Sequence, residues 1–388
     1  MEAEEEGTKT MRSNPLKQLE TLGQSIWLDY IRRDLIAKGE LRRLIEEDGL
    51  RGMTSNPSIF EKAMVESHDY DDDIRALALK GMGAKEIYEA LSQRDVQSAA
   101  DVFRPLYDRT GGKDGYVSLE VNPHLAHDTN GTIQEARRLW VALDRPNVFI
   151  KVPATTEGPP VIQRLISEGI NVNVTLLFGL PRYRQVAEAY LAGIDARASQ
   201  GQAVERVASV ASFFVSRIDA LVDLMLEPIL AQGGEKADLA KAVRGHVAVA
   251  SARMAYRNYK EIFGGDRFRT LAARGARGQR LLWASTGTKN PEYKDVKYVE
   301  ALIGPDTVNT VPLETLDAYR DHGEPEARLE RDVAEAARVL KRLPERGISL
   351  EKVTQQLEDE GVAKFNKPFD KLMETLAQRS SCHSAKAP

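Results

Sequence analysis

Eight short runs rich in β-branched and aromatic residues punctuate this chain, and most are followed by a run with helical spacing. They span 25–30, 52–54, 116–121, 148–152, 170–178, 207–215, 280–286 and 307–312. Strands alternating with helices along one chain fit a closed parallel barrel better than an open doubly wound sheet. At 388 residues the chain has length for one such barrel with insertions, although length alone would also suit two domains. Helical spacing also covers 31–47, 59–108, 219–263 with a break at Gly233-Gly234, and 326–340, 350–360 and 362–376 at the end. A further helix is predicted over 132–143, with Thr132 and Glu135 in a capping-box relation. The expected fold is therefore α/β, a (β/α)8 barrel of the TIM type with extra helices, some of them C-terminal. Residues 1–13 read as a disordered tail, 14–378 as a single barrel domain and 379–388 as a flexible end, with Met11 as an alternative start.

Barrels of this kind bind ligands at the C-terminal ends of their strands. Asp29, Asn56, Glu120, Lys151, Thr175, Ser212 and Ser285 all fall at or near such ends. Lys151 is the most informative of them. It follows Val148-Phe149-Ile150, which reads as buried on both faces, and Pro153 with the small residues after it ends the strand. An ammonium without a partner in an apolar setting loses its proton. The neutral amine then attacks carbonyls to form Schiff bases. The plainer alternative is a lysine that snorkels from the strand end to solvent.

The neighbouring residue types suit that chemistry. Forming and dehydrating a carbinolamine moves protons, and Glu120, one strand away, can carry them directly or through water. Cleaving a carbon-carbon bond beside an iminium needs a base for the hydroxyl that becomes the new aldehyde, and Asp29 is the remaining acid at a strand end. Asn56, Asn173, Thr175 and Ser212 suit a polyol, since each can both donate and accept hydrogen bonds. Arg217 together with Ser285 and the Gly287-Thr288-Lys289 turn can hold a phosphate by charge and backbone N–H groups. Taken singly, each of these acids and hydroxyls reads better as a cap or a solvated loop residue.

Composition removes several other classes. Fifty-four basic against 58 acidic side chains give a net charge of −4, with no global attraction to nucleic acid or acidic membranes. The single cysteine, Cys382, allows no internal disulfide and suits a reducing cytoplasm. No apolar run approaches the length of a membrane span, and the acidic stretch Met1-Glu2-Ala3-Glu4-Glu5-Glu6-Gly7 lacks the apolar core of a secretory signal. No glycine-rich nucleotide fingerprint follows a strand. His124 and His127 beside Asp128 have no further ligand in view, so no metal is expected. The sequons at Asn130 and Asn173 read as coincidence.

Several motifs in order resemble the transaldolase family, Schiff-base sugar-phosphate transferases of the class I aldolase superfamily. They are Trp27-Leu28-Asp29, Thr54-Ser55-Asn56-Pro57-Ser58-Ile59-Phe60, Ser118-Leu119-Glu120-Val121, Ile150-Lys151-Val152-Pro153-Ala154-Thr155, Asn171 through Phe178 and Ser212-Phe213-Phe214-Val215-Ser216-Arg217-Ile218-Asp219. The likeness runs from about Leu16 to Leu376, and Ala284 through Pro291 with Thr307 through Pro312 look like the longer bacterial and plant-type branch. The resemblance implies that Lys151 attacks the ketone of sedoheptulose 7-phosphate or fructose 6-phosphate, and that Glu120 assists through a water oriented by Thr175. Asp29 would take the C4 hydroxyl proton as the C3–C4 bond breaks, and a dihydroxyacetone unit would pass to glyceraldehyde 3-phosphate or erythrose 4-phosphate. Asn56, Ser58, Asn173, Ser212 and Phe214 would contact substrate. Arg217 and Ser285 would bind phosphate, with Lys289 supplying the second charge because Gly287 stands where some branches carry an arginine. It implies no metal or organic cofactor, sugar phosphates as partners, no nucleic acid or membrane, and a cytoplasmic place in the non-oxidative pentose phosphate pathway. A fructose 6-phosphate aldolase, which needs no acceptor, and a non-catalytic sugar-phosphate-binding barrel stay open, as does a homodimer.

Overall fold

The computed structural model describes residues 14–384. The tail expected over 1–13, with Met11, lies outside them, as do residues 385–388. Strands β1 (Gln24–Asp29), β2 (Gly52–Thr54), β3 (Tyr116–Glu120), β4 (Val148–Pro153), β5 (Val172–Leu177), β6 (Ser209–Phe214), β7 (Arg280–Ala284) and β8 (Thr307–Val311) close into a barrel in chain order. Every neighbouring pair is parallel, and β8 returns to β1. The eight expected runs are the eight strands, and helices surround them. Among the helices of the described residues none is long and apolar enough to cross a membrane.

The helices differ from expectation where a single residue decides. The run at 31–47 splits into Arg33–Ala37 and Glu40–Glu47, because Gly39 takes a left-handed φ of 80°. The expected 59–108 segment is three helices, Pro57–Val65, Asp71–Leu79 and Ala84–Arg109. No capping box forms at Thr132. The helix starts at Thr129, where Asp128 accepts the Gly131 N–H at 2.9 Å, while the Thr132 hydroxyl donates to the Leu125 carbonyl and Glu135 accepts the Asn122 N–H. Residues 326–332 are not helical, and the helix there is Val333–Arg342. The last two expected helices are one, Leu350–Ser384, which continues through Gly361 and past Arg379, where a flexible end was expected.

Side-chain alternation along the strands divides the barrel interior into levels. At the N-terminal end the buried Asp114 carboxylate accepts from Arg51 Nε at 2.8 Å and from Arg280 Nη2 at 3.0 Å. Above it an aromatic layer stacks Phe149 on Tyr116 at 4.3 Å and on Trp27 at 6.1 Å between ring centroids. Gly52 is obligatory beside that layer, since a Cβ there would lie 2.5 Å from the Trp27 ring. The polar residues of the next level up, Asp29, Glu120 and Lys151, are thereby cut off from water below.

Burial alone would raise the Asp114 carboxyl, but the Arg280 and Arg51 guanidinium groups outweigh it and hold it below the usual carboxylate range. A folded value below the unfolded one means that its stabilisation is complete above about pH 4 and is lost as pH falls through the folded value. Asp114→Asn leaves two guanidinium groups facing an amide. It should cost about 3–5 kcal/mol at neutral pH. In thermal melts from pH 7 to pH 3 it should also show a shallower acid decline than the wild-type chain.

Candidate active site

At the opposite end of the barrel a cavity of about 170 Å³ opens over the C-terminal ends of the strands. Nine expected residues line it: Asp29, Asn56, Lys151, Thr175, Ser212, Phe214, Arg217, Ser285 and Lys289. Lys151 sits on β4 facing inward, with its Nζ 3.1 Å from Glu120 Oε2 and donating to the Ser55 carbonyl at 3.0 Å. Both side chains of that ion pair are 6% exposed, so neither reaches bulk water and the snorkelling alternative fails. β3 and β4 pair Glu120 directly with Lys151, which explains the contact from register alone.

Charge placement shapes the ionisation of the group. Burial raises the Glu120 carboxyl, Lys151 opposes that, and Asp29 adds to it by repulsion. Asp29 is likewise raised by burial and opposed by Lys151, by a 2.6 Å hydrogen bond from Thr54 Oγ1, and by Arg217 and Lys289. The Arg217 guanidinium is pushed down by burial, with Asp29 and Glu360 opposing, and its buried Nη1 has no hydrogen-bond partner. A buried ammonium beside a buried carboxylate can exchange a proton to leave a neutral amine and a neutral acid. Two further cations nearby favour an anion.

Neutral polar groups complete the wall. Ser212 Oγ donates to Asn173 Oδ1 at 2.7 Å, and Asn173 Nδ2 donates to Ser118 Oγ at 3.1 Å, so Asn173 stands behind Ser212. Thr175 is fully buried and its hydroxyl has no partner within the protein. A register shift between Val174 and Leu177, with Leu176 at φ 56°, ends β5 just beyond it. Asn56 caps the helix Pro57–Val65 by accepting the Ile59 N–H at 3.1 Å, which leaves its amide NH2 for the cavity. Ser58, expected to contact substrate, is not part of the wall. It lies in the first turn of that helix, which leads away from the strand end. Ser285 holds a left-handed φ of 54° with its hydroxyl 3.2 Å from Ser216 Oγ. A Cβ on Gly287 would lie 3.2 Å from Pro312 and Thr315, and Lys289, two residues on, lines the cavity.

Thr54, Thr310 and Phe365 also line the cavity and were not expected. Thr54 and Ser55 lie within the motif around Asn56, and the inward parity of Gly52 would have found Thr54. Phe365 comes from the distant C-terminal helix and had no local signal. His124 and His127 turn to carboxylates, Asp370 at 2.7 Å and Glu157 at 3.1 Å. Asn171 serves the barrel floor, donating to the Pro146 and Val148 carbonyls. A larger cavity of about 730 Å³ at the N-terminal strand ends holds none of the expected residues, and Arg277 and Arg280 there are already bonded to Gly112 and Asp114.

Thr54→Val removes the hydrogen bond that favours the Asp29 carboxylate while keeping the volume. Asp29 should then titrate at a higher pH than in the wild-type chain, as read from its carboxyl carbon by NMR.

The model of the transaldolase/fructose-6-phosphate aldolase family matches residues 26–376. A Trichodesmium erythraeum protein named transaldolase is 48% identical over 373 residues, covering 95% of this chain and 98% of that protein. A Thiobacillus denitrificans transaldolase is 48% identical over 93% of this chain and 99% of its own length. One from Thermobifida fusca is 46% identical over 96% and 100%.

Proposed function

The chain belongs to the transaldolase/fructose-6-phosphate aldolase family, and we propose that this cavity transfers a dihydroxyacetone unit between sugar phosphates through a Schiff base on Lys151. The observation that carries the reading is the buried contact of Lys151 with Glu120, 3.1 Å apart, with Lys151 lining one cavity beside Asp29, Arg217 and Lys289. In a site of this polarity the ion pair loses the solvation that keeps it charged. Passing its proton to Glu120 frees the amine to attack the ketone carbon of sedoheptulose 7-phosphate or fructose 6-phosphate. The carbinolamine oxygen then takes that proton and one from the nitrogen, relayed through water near Thr175, and leaves as water, giving the iminium.

Asp29 removes the proton from the C4 hydroxyl, the C3–C4 bond breaks, and its electrons pass into the iminium to give an enamine. The aldose phosphate departs. A second aldose phosphate enters, the enamine carbon attacks its aldehyde, and Asp29 returns the proton to the new hydroxyl. Hydrolysis of the iminium releases the product ketose and restores Lys151. Arg217 and Lys289, with the Ser285 hydroxyl, suit the phosphate, and the Ser212–Asn173 pair with the Asn56 amide suits the hydroxyls of the three-carbon unit. A cytoplasmic role in the non-oxidative pentose phosphate pathway goes with this reading.

Borohydride reduction with fructose 6-phosphate, followed by peptide mass analysis, tests it. A three-carbon adduct on the Lys151 peptide that disappears when erythrose 4-phosphate is added is the expected result. An adduct lost without acceptor favours the simple aldolase, and none at all removes the Schiff-base reading. Lys151→Ala should yield no adduct, and Asp29→Asn should lower kcat by about 10²- to 10⁴-fold. Arg217→Ala removes charged contacts of about 1.5–3 kcal/mol, so KM for the phosphate substrate should rise roughly 10- to 100-fold with kcat less affected.

A further inference from the structure

We propose that Phe365 is a specificity-determining residue of this site. Its ring, carried over the strand ends by the C-terminal helix, shields the covalent intermediate on Lys151 from water and so favours transfer over release. The inference rests on the Schiff-base reading above.

Three observations place the ring there. Phe365 lines the cavity, is 5% exposed, and has its ring centroid 5.4 Å from Lys151 Nζ. That distance lies within the range over which an aromatic face attracts a cation, whether ammonium or iminium. The helix approaches closely because Gly361, one turn earlier on the same face, has no side chain. A Cβ at that position would lie 2.8 Å from Leu176 at the end of β5. Both flanks of the helix are tied down, by Arg182 to Glu358 at 3.6 Å on one side and by Lys371 to Glu61 at 2.5 Å on the other. The ring is therefore a fixed part of the wall.

Release without an acceptor takes two steps. A proton adds to the enamine carbon, regenerating the iminium. Water oxygen then adds to the iminium carbon, the C–N bond breaks, and free dihydroxyacetone leaves with the amine of Lys151 restored. Only the first step separates the two routes: in transfer the acceptor aldehyde takes the enamine carbon that release protonates, and hydrolysis of the iminium ends both. An apolar face beside the enamine withholds the water that would deliver that proton and spares the attack on the aldehyde.

The test uses the full-length protein with Phe365→Ala and Phe365→Leu, and Phe369→Leu as control. Phe369 sits on the same helix against Tyr88 and His124, outside the cavity wall. Dihydroxyacetone released from fructose 6-phosphate alone is measured against transfer to erythrose 4-phosphate. The expected result is a rise in the release-to-transfer ratio of about tenfold or more in Phe365→Ala, and a smaller rise in Phe365→Leu, which keeps an apolar plug without the ring. Should the alanine variant fail to fold, the leucine variant decides. An unchanged ratio in the Phe365 variants overturns the proposal, as does an equal rise in Phe369→Leu, which would mean that loosening the helix suffices. Absence of a borohydride-trapped adduct in the wild-type chain removes the Schiff-base reading and the proposal with it, whereas a trapped adduct with an unchanged ratio removes the proposal alone.

Discussion

The Lys151–Glu120 pair is the constraint around which the C-terminal half of the barrel is built. Two opposite charges 3.1 Å apart and nearly sealed from water are costly unless their surroundings supply what solvent would. The Ser55 carbonyl accepts from the ammonium, and the Ser55 hydroxyl is in turn fixed by donating to the Ser118 carbonyl on β3. Asp29, Arg217 and Lys289 add one negative and two positive charges, yet burial still raises both carboxyls. Raised carboxyls beside an amine are what proton transfer requires at neutral pH.

The remainder of the barrel keeps that arrangement dry and in register. The Trp27, Tyr116 and Phe149 stack separates the site from the Arg51–Asp114–Arg280 cluster at the other end. Charges of both signs therefore occur at the two ends of the barrel with an aromatic layer between them. Parallel pairing sets Glu120 opposite Lys151, Lys151 opposite Asn173, and Asp29 opposite Thr54. Each of these pairs puts at least one residue in the cavity wall, so the wall depends on strand register.

The C-terminal helix adds what eight strands lack, a cover. Its Gly361 fits against Leu176, its Phe365 faces Lys151, and its Phe369 packs edge-on against Tyr88. Arg379 fastens the far end to the Met64 and Val65 carbonyls and to Asp71. A glycine that would weaken an isolated helix is used here for close approach, and the ion pairs on either side hold the position it permits.

Much of this was legible in the residues. Eight apolar runs, most followed by helical spacing, pointed to a closed parallel barrel, and polar residues at their ends marked the site, because strand propensity and burial are local properties of sequence. Asp29, Glu120 and Lys151 stood out for the same reason: an ionisable residue ending a buried strand is visible without neighbours. Capping was less secure, since Asp128 and Thr132 are both competent caps and only the path of the preceding turn selects one. Ser58 was read into the site from its motif, although the helix begun by Pro57 leads it away. Tertiary structure alone decided that Gly361 continues a helix, that the helix crosses the strand ends, and that Phe365 meets Lys151. Gly361 lies 185 positions from Leu176 and Phe365 lies 214 from Lys151, and nothing in local periodicity carries such distances. The sequence by itself set which groups are buried; their depth of burial, and the charge each can hold there, came from packing.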